Sequence, residues 1–213
     1  FALIDVDEFL VLQQYPQNHS IIHDVLAEYL VPYGGALVMN WVLFGTANKT
    51  IYAPAPALKR FSFRDDASHG VVKTIVKASD FRAVRNPHAV LLRKQAGGSN
   101  KVSVRTTFTP GHVHEEQFGK TGASDKMRPS DVILVYHYRF LSIKEYTQKR
   151  CIRGEAIGNT KGCDRKTGKL SNSAPHHALH RPGVIYDTIA WDFLTSKVPK
   201  YRVYDHEEWQ DYT

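Results

Sequence analysis

Three carboxylates stand in four positions near the start of the sequence, Asp5-Val6-Asp7-Glu8, between the apolar runs Phe1-Ala2-Leu3-Ile4 and Phe9-Leu10-Val11-Leu12. Such a cluster at the edge of a core is costly unless a cation neutralises it. Asp-x-Asp at a strand end can turn two hard oxygen donors to one pocket, and that donor set suits Mg2+ or Mn2+. Asp5 and Asp7 are therefore candidate metal ligands. His137 ends a strong apolar run as Asp5 does, and a neutral imidazole there can complete a metal shell. Glu8 can orient Asp7 from behind. The inert alternatives are a solvated acidic turn at 5–8 and a core histidine capping a strand at 137.

Two chemistries use a strand that delivers Asp-x-Asp. In a phosphohydrolase of the haloacid-dehalogenase type, Asp5 would attack phosphorus and Asp7 would act as acid and base. That type carries Thr or Val where Phe9 stands, and it needs a later strand ending in paired acids. Asp65-Asp66 is such a pair, but Phe61-Ser62-Phe63-Arg64 before it makes a poor buried strand. In a nucleotide-sugar glycosyltransferase the metal bridges the donor diphosphate and neutralises the leaving group.

The wider text favours the second chemistry. Ile4-Asp5-Val6-Asp7-Glu8-Phe9 resembles the hydrophobic–Asp-x-Asp–Glu–Phe signature of family-92 and related family-2-like glycosyltransferases. Tyr33-Gly34-Gly35 followed by Asn40-Trp41-Val42-Leu43-Phe44-Gly45 is similar to their YGG…NW..FG strand. Val72-Lys73-Thr74-Ile75-Val76-Lys77 with Asn86-Pro87-His88 looks like their VKSIV…NPH segment. His137-Tyr138 followed by Ser142-Ile143-Lys144-Glu145-Tyr146 resembles their HY..KS.EEF block.

The resemblance implies an α/β fold, a GT-A-like mixed sheet flanked by helices, lacking its N-terminal nucleotide-binding half. It implies metal-dependent, inverting sugar transfer from a nucleotide-sugar donor, a UDP-sugar, to a glycan acceptor, with Mn2+ or Mg2+ as cofactor. Asp7 and His137 would hold the metal, with Asp5 reaching it through water or touching the donor ribose. Lys73 and Lys144 would contact the donor, as could Lys77 and Arg153. Inversion needs a general base; Asp66 is the nominee, with Glu8, Glu115 and Glu116 as other acids of the site. Trp41 could stack on the acceptor. A non-catalytic carbohydrate-binding module, drawing on 11 Tyr and 3 Trp, is a further alternative.

The 213 residues suffice for one full-size domain, read here as a single partial catalytic domain over 1–213 with an irregular loop region at 155–183. Apolar content is 42% and charged content 23%, ordinary for a globular chain. No apolar run is long enough to span a membrane, so membrane attachment would need segments absent from this chain. The first residue is Phe1, inside what reads as a buried strand, which suggests a piece of a longer protein open at its N-terminal edge. A formal net charge of +7 suits anionic ligands, but no nucleic-acid motif is present. Cys151 and Cys163 read as free thiols, with a disulfide closing the Gly-rich loop between them as the alternative that would imply a secretory compartment. The resemblance would put a eukaryotic protein of this type in the Golgi lumen and a bacterial or viral one in the cytoplasm.

Residues 1–5 read as a strand. Apolar positions 21, 22, 25, 26, 29 and 30 fit a helix capped by Ser20. Strands are expected at Ala36–Phe44, Val71–Val76 and Val132–Tyr138, with Val90–Arg93 pairing Lys101–Arg105. Ser142 should cap a helix running past Arg150, and 184–195 should form another. Thr109–Pro129 reads as a loop, and His112, His114, His176, His177 and His180 read as surface histidines more than metal ligands.

Overall fold

The structure, a computed structural model, describes residues 1–13, 22–32, 35–93, 102–105, 113–116, 133–153, 163–164, 167, 169–170 and 183–205. It is a mixed α/β fold with a central sheet, and the chain divides into two compact units. The first comprises Phe1–Val42 and Ala67–His137, the second Leu43–Asp66 and Tyr138–Thr213.

The first unit is built on a six-stranded sheet. Its strands are β1 (Glu8–Leu12), β2 (Ala36–Leu43), β4 (His69–Val76), β7 (Val102–Arg105), β8 (Val113–Glu116) and β9 (Ile133–His137), in the order β1-β9-β2-β7-β8 with β4 also on β2. β2 is the hub because all eight residues of Ala-Leu-Val-Met-Asn-Trp-Val-Leu are buried; a run apolar on both faces is stable only when both are covered. β9, Ile-Leu-Val-Tyr-His, is buried throughout for the same reason and pairs antiparallel with β1, Glu8 opposite His137. β4 pairs antiparallel with β2, Met39 opposite Lys73, with a bulge at Asn40/Trp41 that sets Trp41 opposite His69. Helix α1 (Ile22–Tyr29) buries Val25, as the apolar spacing requires; Ser20 lies outside the described residues.

Two expectations are corrected here. Residues 1–5 do not form a strand covered on both faces. Ala2 makes a single bridge to Ile75, and Phe1 exchanges backbone bonds with Val76. Phe1 is 52% exposed. The strand starts only at Glu8, because the chain first turns through Asp5–Glu8. Val90–Arg93 does not pair with Lys101–Arg105 either. Ala89–Leu92 (β6) folds back on Phe81–Asn86 (β5) across Pro87-His88, while Val102–Arg105 pairs with β2 and β8. The hairpin wins because Pro87 favours a turn and because Val90, Phe81 and Leu92 cover Ala36 and Val76. Gly35, at φ 77°, turns the chain into β2 in a conformation only glycine adopts readily, and its N–H donates to Asp80 at 2.6 Å.

The second unit holds α2 (Ala57–Arg60), a two-stranded sheet of β3 (Phe63–Arg64) and β12 (Ile185–Tyr186), α3 (Ile143–Thr147) continuing as a π-helix over Gln148–Arg153, α4 (Ile189–Lys197) and a 3-10 turn over Pro199–Asp205. Ser142 caps α3 in a reciprocal capping box with Glu145. The helix expected over 184–195 begins only at Ile189, five residues later, because Ile185–Tyr186 pairs with Phe63–Arg64. Within 155–183 the described residues form a short antiparallel pair, β10 (Cys163–Asp164) with β11 (Lys169–Leu170). Cys151 and Cys163 are joined as a disulfide, so the free-thiol expectation is corrected. Their Cα atoms stand 5.3 Å apart, inside the disulfide range, since the π-helix and β10 bring them together. Within the polar stretch 109–129, Val113–Glu116 is strand β8. Among the described residues no helix is long and apolar enough to cross a membrane.

Candidate functional site

The acidic cluster is a closed turn. The Glu8 amide donates to the Asp5 carbonyl at 3.1 Å, and the Asp5 amide donates to Glu8 Oε2 at 2.9 Å. Val6, at the apex, is 97% exposed, which explains why an apolar residue there does not extend the strand. The turn thus sits immediately ahead of β1, not at the end of a strand over 1–5 as expected.

Lys73 neutralises the turn from beneath. Its side chain has no exposed surface, and its Nζ lies 2.8 Å from Asp5 Oδ2 and 3.0 Å from Glu8 Oε2. A fully buried ammonium is stable only when paired in this way. Glu8 is equally buried, and burial is the largest influence on its carboxyl. It pushes the pKa above the usual carboxylate range against the opposing pull of the Asp5 amide, Lys73 and His137.

His137 stands across the ladder from Glu8. Its Nε2 is 3.8 Å from Asp7 Oδ1, and its Nδ1 is 4.0 Å from Glu8 Oε1. Trp41 packs its ring edgewise against His137 at 4.2 Å between centroids and against His88 at 5.1 Å. Burial pushes the His88 pKa down, and Lys73 adds to the effect; its Nδ1 lies 3.1 Å from the Val72 carbonyl. Three buried polar atoms in this region have no hydrogen-bond partner: Glu8 Oε1, His137 Nδ1 and Trp41 Nε1. Each such group costs roughly 1–3 kcal/mol, a cost borne by the packing around them and by the bonds that Lys73 and the Asp5 amide make to the turn.

Two of the three carboxylates, Asp5 and Glu8, thus meet the Lys73 ammonium, and Asp7 Oδ1 stands 3.8 Å from His137 Nε2, a gap of the size one cation fills. Two donors at about 2.1 Å from a shared ion lie at most about 4.2 Å apart. Asp7 and His137 fit that test. Among the described residues no group of three or more His, Cys, Asp or Glu side chains is set to hold an ion. A cation here would take the remainder of its shell from water and ligand oxygens, as Mg2+ commonly does with substrate phosphates.

The other expected site residues are placed as follows. Asp5, Asp7, Glu8, Lys73 and His137 all belong to the first unit; Asp66 and Lys144 belong to the second, and both are exposed. Lys77 and Arg153 are also exposed. Trp41 is 6% exposed, so its ring serves as packing for His137 and His88, whereas stacking on a sugar needs an open face. The side chains of His114, Glu115 and Glu116, and residues His112, His176, His177 and His180, lie outside the described residues. Sequence reasoning assigned no role to His88 or to the Lys73–Glu8 ion pair; the signals were the cost of three carboxylates beside a core and a lysine inside a largely apolar strand. Compared with protein-family models, with curated proteins and with solved structures, the chain matches none.

Proposed function

We propose that this chain carries the metal-binding part of an inverting glycosyltransferase that moves a sugar from a nucleotide donor, a UDP-sugar, to a glycan. The observation that carries the reading is the 3.8 Å approach of Asp7 Oδ1 and His137 Nε2 beside a turn whose other two carboxylates are met by Lys73. The ordered resemblance to family-92 and family-2-like enzymes supports it, with their GT-A arrangement as the finer fold.

In this reading Asp7 and His137 hold a Mn2+ or Mg2+ ion, and Asp5 approaches it through water or contacts the donor ribose. When bound, the ion supplies charge neutralisation of a diphosphate leaving group. Lys73 keeps the turn closed. Partial burial of Asp7 and His137, whose side chains are 16% and 7% exposed, strengthens each charge interaction there. The Cys151–Cys163 disulfide favours an oxidising compartment such as a secretory lumen.

The test is UDP binding by the full-length protein, measured calorimetrically with and without Mn2+. Binding that requires Mn2+ in the parent and is lost in Asp7→Ala and His137→Ala, with circular dichroism unchanged, is expected. Full transfer activity in excess chelator, or in Asp7→Ala, overturns the reading.

A further inference from the structure

Glu8 and His137 present a choice of where one proton sits. Both Glu8 Oε1 and His137 Nδ1 are buried without a partner, and they face each other at 4.0 Å across the β1–β9 ladder. With the imidazole proton on Nε2 and Glu8 ionised by its bonds to Lys73 and the Asp5 amide, two buried acceptors confront each other and neither is satisfied. With the proton on Nδ1, a closure of about an ångström makes one N–H···O bond that satisfies both. Glu8 is not free to turn away, because Oε2 is already held by the Asp5 amide at 2.9 Å and by Lys73 at 3.0 Å.

We propose that Glu8 is a positioning residue for the imidazole: with Oε2 fixed by Asp5 and Lys73, its Oε1 accepts the Nδ1 proton of His137 and leaves the Nε2 lone pair turned toward Asp7. That lone pair then lies 3.8 Å from Asp7 Oδ1, close enough for both atoms to serve as donors to one cation. This inference rests on the metal reading for its purpose, but not for its test. Carboxylate-held imidazoles are the usual way a ligating histidine has its tautomer and direction fixed, and loss of such a partner weakens metal affinity about 10–100-fold. Lys73 acts at one remove, since it holds the carboxylate that holds the ring.

The experiment has two arms on the full chain with 15N-labelled histidine, using Glu8→Gln as the variant and His137→Gln to assign the signal. In the first arm, two-bond 15N–1H spectra at pH 8 without metal report the tautomer directly. A protonated Nδ1 in the parent, shifting toward protonated Nε2 in Glu8→Gln, is expected. A parent with protonated Nε2 overturns the proposal by itself, even if the variant fails to fold. An unchanged Nδ1–H form in the variant overturns it too. In the second arm, Mn2+ affinity is read by electron paramagnetic resonance, and Glu8→Gln should bind about 10–100-fold more weakly. Equal affinity in parent and variant overturns the positioning role. A parent that binds no Mn2+ sinks the metal reading instead, while the tautomer result still decides what Glu8 does.

Discussion

Lys73 is buried and ion-paired where its sequence context suggests an available cation. In Val72-Lys73-Thr74-Ile75-Val76 it reads as a basic side chain available to phosphate, yet its side chain has no exposed surface and its ammonium is bonded to Asp5 and Glu8. The sequence could not reveal this, because Asp5 lies 68 positions away and only the sheet brings the two together. The same is true of Glu8, whose partner His137 is set by ladder register. What was legible was that Asp7 and His137 come together: both were named from residue type and from the apolar runs beside them, and they stand 3.8 Å apart. Lys73→Met should destabilise the fold by roughly 3–5 kcal/mol, the usual cost of leaving a buried charge without its partner. Urea denaturation measures it. If Lys73 served chiefly as a phosphate contact, the variant would keep its stability and lose UDP affinity.

Among the elements, β2, β4, β9 and α1 were legible because long apolar runs and 3.6-residue spacing leave little choice of structure. The start of β1 was not, since Phe1–Ile4 has a strand's composition but the turn closed by Glu8 claims Asp5 through Glu8. The β5–β6 hairpin was missed because Pro87-His88 was read as part of a motif and not as a turn. Helix α3 was legible to its cap, and its anchoring was not. Glu145 closes the capping box with Ser142 and also takes both terminal nitrogens of Arg60 at 2.7 and 2.8 Å. Burial raises the Glu145 carboxyl, but the bonds from Arg60 and Ser142 outweigh it and hold the pKa below its ordinary 4.5. A depressed carboxylate contributes stability that is present above its unfolded value and lost as pH falls through the folded one. Glu145→Gln should therefore cost about 3 kcal/mol near pH 7, since it strands an Arg60 side chain that is 5% exposed. Below pH 4.5 the difference between parent and variant should shrink. Paired urea curves at neutral and acid pH check both the magnitude and the sign; a difference that grows in acid contradicts the assignment.

At the scale of the molecule, the chain passes from one compact unit to the other at Val42/Leu43, returns at Asp66/Ala67 and leaves again at His137/Tyr138. Each unit is thus discontinuous in sequence, which is why a linear reading could not find the division: no linker composition marks it. The Cys151–Cys163 bond lies wholly within the second unit, and nothing in the spacing of two cysteines says whether they meet. Closing a loop of 12-residue separation removes unfolded-state entropy worth about 3 kcal/mol. For a chain of this length that corresponds to roughly 6–12 °C in Tm. Reduction, or Cys151→Ala with Cys163→Ala, should lower the melting temperature by that amount. Hydrogen exchange read peptide by peptide locates the effect. Protection should fall first over Ile143–Arg153, whose π-helical end carries Cys151, while β2 in the first unit keeps its slow exchange. Equal loss in β2 would mean that the two units unfold as one cooperative body and that the disulfide stabilises the whole chain. An unchanged melting temperature would mean that the reduced loop is already closed in the unfolded state by other contacts, and the entropic account of the bond would fail.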